Sequence, residues 1–583
     1  MESKILLAVT NEQRYLYHKV NKIVFTYGEW MEEGCEWAKE HQIDYEALPS
    51  KWNSRAKIYN AHNYVEKMAV NLSHEIADDL NCIHNIKFTA KAWEAELHLW
   101  LVYWISSLYD KYCDLRQAKE IGDFAMVCEE NICIQNNLYE LGVSMNDISY
   151  NVQQYTCLMH YFGYEMIDQQ GKNIREIKYV QNALTLNEVM ANKKFCNKLQ
   201  NDLQSARVIV DADLRSVLFD NISKLTNGLI EYMNISRQFY CVSPIDLNLR
   251  KTLNRKLNTR DEFEKFIYEN IGYFIPVVFL EGFHEIWFLV NTMKNLRAVI
   301  SRAPFDENEI IRLLALKARE NGGEVYQIQH GGMGIEQYIG AHCIKYNDVF
   351  YSWGWKGKTD FSPYKKMPSI KISKCRNLVR TKDADMILFV ENLSKYHIFR
   401  FDDYYDSDKL EKIQEEDQFI NGLENETFTK LVVRPYLRCE KERRQYLNKR
   451  HLGITVSGPG VSYHKALSKA RLVVIPCMVT TWLEALAADI PVIILMKTEQ
   501  IFYNNVGAYK DVQLMKKAGI LQETPEEAAK FVNKNYYNIE AWWNSDLVRG
   551  VVSRLKGKYA YASRFLGIKW KMEIAKIFIE ASR

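Results

Sequence analysis

Residues 472–485 read Leu472-Val473-Val474-Ile475-Pro476-Cys477-Met478-Val479-Thr480-Thr481-Trp482-Leu483-Glu484-Ala485. Four consecutive apolar residues, three of them β-branched, form a short buried strand, and the segment after Val479 has helical spacing. The surroundings extend the alternation. Gly453–Ser457 is expected as a strand, Ser462–Ala470 as a helix, Leu472–Ile475 as a strand, Thr481–Ala488 as a helix and Val492–Leu495 as a strand. Strand and helix alternating with short joints build a parallel sheet covered on both faces, so the segment is one lobe of a doubly wound α/β fold.

The same grammar appears upstream. Ala298-Val299-Ile300 is a strand, Glu307 to Asn321 an amphipathic helix ended by Gly322-Gly323, and Glu324–Gln329 a second strand. Tyr273–Leu280 is an apolar run closed by Glu281-Gly282. The N-terminus opens on the strands Ile5–Val9 and Ile23–Phe25. Between about 60 and 260 helical signals dominate, including a stripe of Trp93, Leu97, Trp100, Leu101, Trp104 and Leu108 that suits core packing. Residues 355–382, rich in lysine, read as a linker. The expectation is two Rossmann-like domains: 1–365 with a helical insertion at about 60–260, and 366–583.

A chain of 583 residues is too long for one core. Its 76 Lys and Arg against 73 Asp and Glu leave a net charge of +3, which excludes a nucleic-acid-coating surface. Twelve cysteines include no Cys-x-x-Cys pair, which suits reduced thiols in the cytoplasm and a site with no metal. No run of 18 apolar residues is present. Lys556, Lys558, Lys569, Lys571 and Lys576 near the C-terminus suit a solvated helix face or peripheral contact with an anionic membrane.

Two constellations carry candidate chemistry. Gln329-His330-Gly331-Gly332-Met333-Gly334 follows a strand, where α/β sheets gather their ligands. Glycines there let backbone N–H groups approach a ligand, and His330 is a candidate base for an acceptor hydroxyl. A satisfied histidine in a tight turn is the alternative. The second constellation is Thr480-Thr481 at a helix start, where free N–H groups and the helix dipole favour a phosphate. Thr481-x-x-Glu484 also has the spacing of a capping box, so Thr481 is expected to cap while Thr480 binds. Arg434, after a strand, suits a phosphate clamp or a structural ion pair, and Arg438 stands with it among the polar residues at strand ends. Glu281 is a second candidate base or a buried structural carboxylate. His342 and Asp348, with Trp353-Gly354-Trp355, form a polar and aromatic patch that suits either ring stacking or the core.

Taken together, these residues resemble a family of uncharacterised bacterial transferases found with surface-polysaccharide genes, whose C-terminal half is glycosyltransferase-B-like (GT-B). The resemblance rests on Gly28-Glu29-Trp30, Lys51-Trp52-Asn53-Ser54-Arg55, Leu80-Asn81-x-x-His84, Trp93 with Trp100, Leu280-Glu281-Gly282, Gln329–Gly332, Trp353-Gly354-Trp355 and Thr480–Ala485. Lys51 stands where the family pattern has His, and Ser54 where it has Asp. The resemblance implies a two-domain glycosyltransferase fold and transfer from a nucleotide-activated sugar, and the sequence as a whole reads as a cytoplasmic, metal-independent glycosyltransferase. The donor is a nucleotide sugar, CMP- or UDP-linked donors being the first to consider, and the acceptor a glycan or lipid-linked glycan. No further cofactor is implied. Alternatives are a polyol-phosphate transferase using a nucleotide-alditol, a nucleotide-sugar epimerase, and a catalytically silent scaffold of polysaccharide assembly.

Overall fold

The computed structural model of the protein describes residues 5–10, 13, 16, 20–201, 203–233, 239–302, 309–329, 331–332, 334–335, 345–357, 364–391, 401, 409–436, 440–458, 460–501, 503 and 506–583. Its strands form three large parallel sheets and one small two-stranded one.

The N-terminal sheet runs, edge to edge, Tyr45–Ala47, Lys22–Phe25, Ile5–Ala8, Phe124–Val127, Glu165–Ile167. Three helices, Arg55–Glu75, Ala77–His84 and Ala90–Ile121, fill the crossover between its third and fourth strands in chain order. The last is 32 residues long. Thr89 Oγ1 accepts from Ala92 N–H at its start, and Gly122 ends it. Trp93, Trp100 and Trp104 are each at most 1% exposed, and Trp100 and Trp104 stack at 5.5 Å. The tryptophan stripe is core.

The middle sheet runs Tyr364–Lys366, Val349–Ser352, Glu324–Ile328, Ala298–Ser301, Val208–Asp211, Ile230–Met233. The C-terminal sheet runs Thr455–Val456, Leu431–Arg434, Met386–Val390, Ala470–Ile475, Val492–Leu495, Leu521–Gln522. Numbered along the chain, its order is 3-2-1-4-5-6, that of a dinucleotide-binding sheet. Its direction of winding reverses between Met386–Val390 and Ala470–Ile475, so the ligand crevice opens beyond those two strands.

The final helix, Leu566–Ser582, returns to the middle sheet. Trp570, Ile574 and Ile577 pack with Val208, Val210, Ile300 and Tyr351. Tyr351 OH donates to Glu573 Oε1 at 2.7 Å, and Trp570 Nε1 to Pro368 O at 3.1 Å. The lobe on the middle sheet therefore takes one cover from the end of the chain. The middle and C-terminal sheets make the two Rossmann-like lobes expected, and the N-terminal sheet adds a third α/β layer.

Two expectations need correction, and one apolar run takes a definite form. Residues about 60–260, read as a helical insertion, hold six strands among the described residues, from Phe124–Val127 to Ile230–Met233. Strands such as Phe124–Val127 and Val208–Asp211 are four residues long and buried at every position, so the two-residue alternation that marks a half-exposed strand is missing. The apolar run Tyr273–Leu280 is the end of the helix Glu262–Phe274 and a 3₁₀ turn at Val277–Phe279, divided by Pro276. The stretch read as a linker contains the strand Tyr364–Lys366 and the helix Ile370–Cys375, capped by Ser369.

Candidate functional site

The carboxyl ends of the middle and C-terminal sheets meet at a glycine. After the strand Glu324–Ile328 the buried Gln329 side chain makes three bonds. Its Oε1 accepts from Trp353 N–H at 2.8 Å and Trp355 Nε1 at 2.7 Å, and its Nε2 donates to Gly331 O at 2.7 Å. These bonds hold the turn so that Gly332 N–H donates to Thr480 Oγ1 at 2.9 Å. A Cβ on Gly332 would lie 2.8 Å from the Val479 carbonyl carbon and 3.0 Å from Thr480 N. Only glycine lets the two backbones come this close. Trp353 and Trp355 are buried, 3% and 1% exposed, so that part of the patch is core.

Thr480 and Thr481 occupy the first turn of the helix Thr480–Ala487, whose N-cap is Val479 with no side-chain cap bond. The capping-box expectation is therefore corrected. The helix begins one residue before Thr481, which puts that residue inside the first turn and takes its hydroxyl off the capping position. Glu484 faces elsewhere. Thr481 Oγ1 is buried and has no hydrogen-bond partner among the described residues, while Thr481 O accepts from Tyr463 OH at 2.9 Å. A buried hydroxyl without a partner costs about 1–3 kcal/mol.

Beside this junction lies a cavity of about 660 Å³ at the carboxyl ends of the middle strands. Asp211, Arg302, Gln329 and Trp353 line it from the middle lobe, and Lys371 and His464 from across the cleft. Asp211 and Arg302 end adjacent strands where the middle sheet reverses direction. Arg302 Nε lies 3.1 Å from Asp211 Oδ2, and its NH1 2.7 Å from Asp213 Oδ2. A cavity of this volume is within the usual range for small-molecule sites.

A further polar cluster flanks the cavity. Cys375 Sγ lies 3.2 Å from His464 Nε2, and Glu484 Oε1 lies 3.7 Å from the same nitrogen and 3.2 Å from Lys371 Nζ. Glu484 is 1% exposed. Burial, and then the charge of Glu484, push the Cys375 thiol up to about 12.

The other expected residues separate. Glu281 is not in the cleft group. Arg250, fully buried, grips its carboxylate with Nε at 2.7 Å and NH2 at 2.6 Å, and Asp246 N–H donates to it at 2.9 Å. The same guanidinium donates to Gly272 O and Ile275 O. Glu281 is thus a structural anion with its lone pairs committed. Arg434 NH1 donates to Val461 O at 2.6 Å, holding the loop after Thr455–Val456. Asp348 accepts from Arg319 and from Val325 N–H, and so pins a strand start. His330, Met333, His342 and Arg438 lie outside the described residues.

In the N-terminal lobe, Lys51 Nζ sits between Asp110 at 2.8 Å and Asp114 at 2.6 Å, and Trp52 Nε1 donates to Asp110 Oδ1 at 2.8 Å. Burial alone would lower the lysine's pKa, but the two carboxylates outweigh it and raise it. Trp52 meets Phe401 edge-on at 4.5 Å, where the N-terminal lobe touches the C-terminal one. Lys51 therefore works here as the cation of a buried ion cluster.

Sequence reasoning missed Asp211, Arg302 and Cys375. Asp211 and Arg302 each follow a short apolar strand, a signal available in Val208-Ile209-Val210 and Ala298-Val299-Ile300. The cysteine, histidine and glutamate come from three helices and have no sequence signature.

The model of one protein family matches the chain over residues 5–574, and it describes an LIC12162 family transferase. The chain belongs to this family. Its transferase class agrees with a cleft that two Rossmann-like lobes share. No curated protein sequence matches the chain at a significant level. Among solved structures the family member is similar to a proposed UDP-N-acetylglucosamine 2-epimerase from Listeria monocytogenes, with 12% identity and a TM-score of 0.36, over 67% of this chain and 94% of that one. It is similar to an O-GlcNAc transferase variant from Thermobaculum terrenum, with 10% identity and a TM-score of 0.30, over 89% and 98%. It is also similar to MurG from Acinetobacter baumannii, with 12% identity and a TM-score of 0.30, over 78% and 99%. Likenesses this distant leave the substrate open.

Proposed function

We propose that this transferase moves a sugar from a nucleotide-activated donor to a glycan acceptor. The observation that carries the reading is the orphaned Thr481 hydroxyl at a helix start, next to Thr480, whose own hydroxyl meets the glycine turn of the other lobe. A donor phosphate placed there would accept from the first N–H groups of Thr480–Ala487 and from the Thr481 hydroxyl, beside the Gly332–Thr480 junction. Those donors meet the charge that develops on the leaving phosphate, without a metal at that point. The sugar and acceptor would lie in the adjoining cavity, against Asp211, Arg302 and Trp353. His330, between the described Gln329 and Gly331, is the proposed base for the acceptor hydroxyl, a role worth about 10²–10⁴ in rate.

The experiment is a binding and turnover screen of nucleotide sugars, CMP- and UDP-linked first, with product analysis. A glycosidic product supports the reading. A phosphodiester product would replace it with polyol-phosphate transfer, and an isomerised free donor with epimerisation.

A lipid-linked acceptor would bring the protein to a membrane surface. No helix among the described residues is long and apolar enough to cross one. The final helix nevertheless exposes Phe565, Ile568, Met572 and Ile579 at helical spacing, each more than half exposed. Lys571 Nζ lies 4.0 Å over the neighbouring Phe219 ring, and Lys569 and Lys576 are exposed. Apolar side chains ringed by lysines suit an anionic lipid surface.

A further inference from the structure

We infer that Cys375, His464 and Glu484 form a binding site for a zinc-class divalent cation, whose open fourth position lies on the cavity side. The three residues end or line three separate helices, Ile370–Cys375, Tyr463–Lys469 and Thr480–Ala487. Their ligand atoms all fall within 4.8 Å of one another. Tetrahedral ligands at the bond lengths of zinc stand about 3.4–3.6 Å apart. The sulfur-to-nitrogen separation here is 3.2 Å and the oxygen-to-nitrogen separation 3.7 Å, each within tenths of an ångström of those values, and the sulfur-to-oxygen separation is within 4.8 Å.

The donor set selects the metal. Thiolate and imidazole favour zinc, cobalt or copper and disfavour magnesium and calcium, which take oxygen ligands. Glu484 Oε1 is buried and makes no hydrogen bond of normal geometry, and it points at the other two donors. Lys371, half exposed and 3.2 Å from that oxygen, is the cation now facing it and is free to swing into solvent when the metal enters. Binding takes the Cys375 thiol proton to solvent and leaves two ligand charges to offset the two of the ion. Three protein ligands with the fourth position open is the pattern of a zinc site that also binds water or a substrate atom. His464 lines the 660 Å³ cavity, so that position is on the substrate side. The bound ion would also tie the helix that presents Thr480 and Thr481 to two neighbours. This departs from the expectation of a metal-free site and does not depend on which group the enzyme transfers.

The test uses the full-length protein, stripped with chelator and titrated with Co²⁺. The expected result is saturation at one equivalent, a tetrahedral cobalt spectrum with a thiolate charge-transfer band, and displacement by Zn²⁺. Cys375→Ser should lose that band. His464→Ala, at a half-exposed position that tolerates substitution, should weaken binding at least about tenfold. Absence of the band in the wild-type protein, or the same band and affinity in both variants, overturns the assignment.

Discussion

Gly332 N–H donates to Thr480 Oγ1 across the cleft at 2.9 Å, and this bond joins the carboxyl ends of two parallel sheets built from segments more than a hundred residues apart. The contact exists because residue 332 has no side chain: a methyl group there would press on the backbone of Val479 and Thr480.

Gly332→Ala should therefore part the lobes while leaving each sheet intact. We expect a stability loss of about 1–3 kcal/mol, as for an overpacked contact, together with loss of transfer activity. Thermal melts and turnover assays read the two effects. Wild-type melting and turnover in this variant would show that the lobes need not meet here.

Glu281→Gln addresses a residue that reads as a candidate base in the sequence and as the partner of buried Arg250 in the structure. Removing the charge leaves a buried guanidinium uncompensated, so urea titration should show a loss of about 3–5 kcal/mol. A variant of wild-type stability with abolished turnover would restore the catalytic role.

How much was legible follows from such cases. The strand–helix alternation of the C-terminal lobe was readable because its strands are bounded by prolines, glycines and polar turns. Val492–Leu495 falls where expected, and the helix after Val479 starts one residue early. The N-terminal and middle sheets were only partly readable, because four-residue strands buried on both faces carry no alternation. Thr480 and the glycine turn were legible as strand-end chemistry, and their contact was not. Glu281 misled because a glutamate after an apolar run looks the same whether it faces a cleft or an arginine 31 positions upstream. The cation cluster was illegible, since helix packing alone assembles it.

Acid should weaken the fold through His84, part of the Leu80-Asn81-x-x-His84 element. Its ring is buried, its Nε2 lies 3.1 Å from Phe279 O, and it stacks on Phe283 at 4.3 Å. Burial, offset in part by the Phe279 carbonyl, pulls its pKa from 6.5 down to about 4. Between those values the unfolded chain holds the proton and the folded chain does not, so stability rises with pH across the window and is lost as pH falls from 6.5 to 4. The shift corresponds to about 3 kcal/mol at most. Denaturant titrations at pH 4.5 and 7 should show a smaller pH dependence in His84→Phe than in the wild type. An equal dependence would remove the histidine from the account.

The exposed stripe of the final helix should bind vesicles containing anionic lipid and release them at high salt. Met572→Glu with Ile568→Glu should abolish co-sedimentation without lowering the melting temperature, because both side chains face solvent. Unchanged sedimentation, or none in the wild type, would contradict membrane contact through this face.

Thr481→Val, examined by calorimetry with the nucleotide sugar that the screen identifies, tests the donor site most directly. The hydroxyl has no partner among the described residues, so its removal should leave the melting temperature unchanged or raised. If the hydroxyl holds a donor phosphate, affinity should fall about tenfold or more, the loss of one hydrogen bond to a charged group. Undiminished affinity in Thr481→Val, or a wild-type protein that binds no nucleotide sugar, would contradict the account.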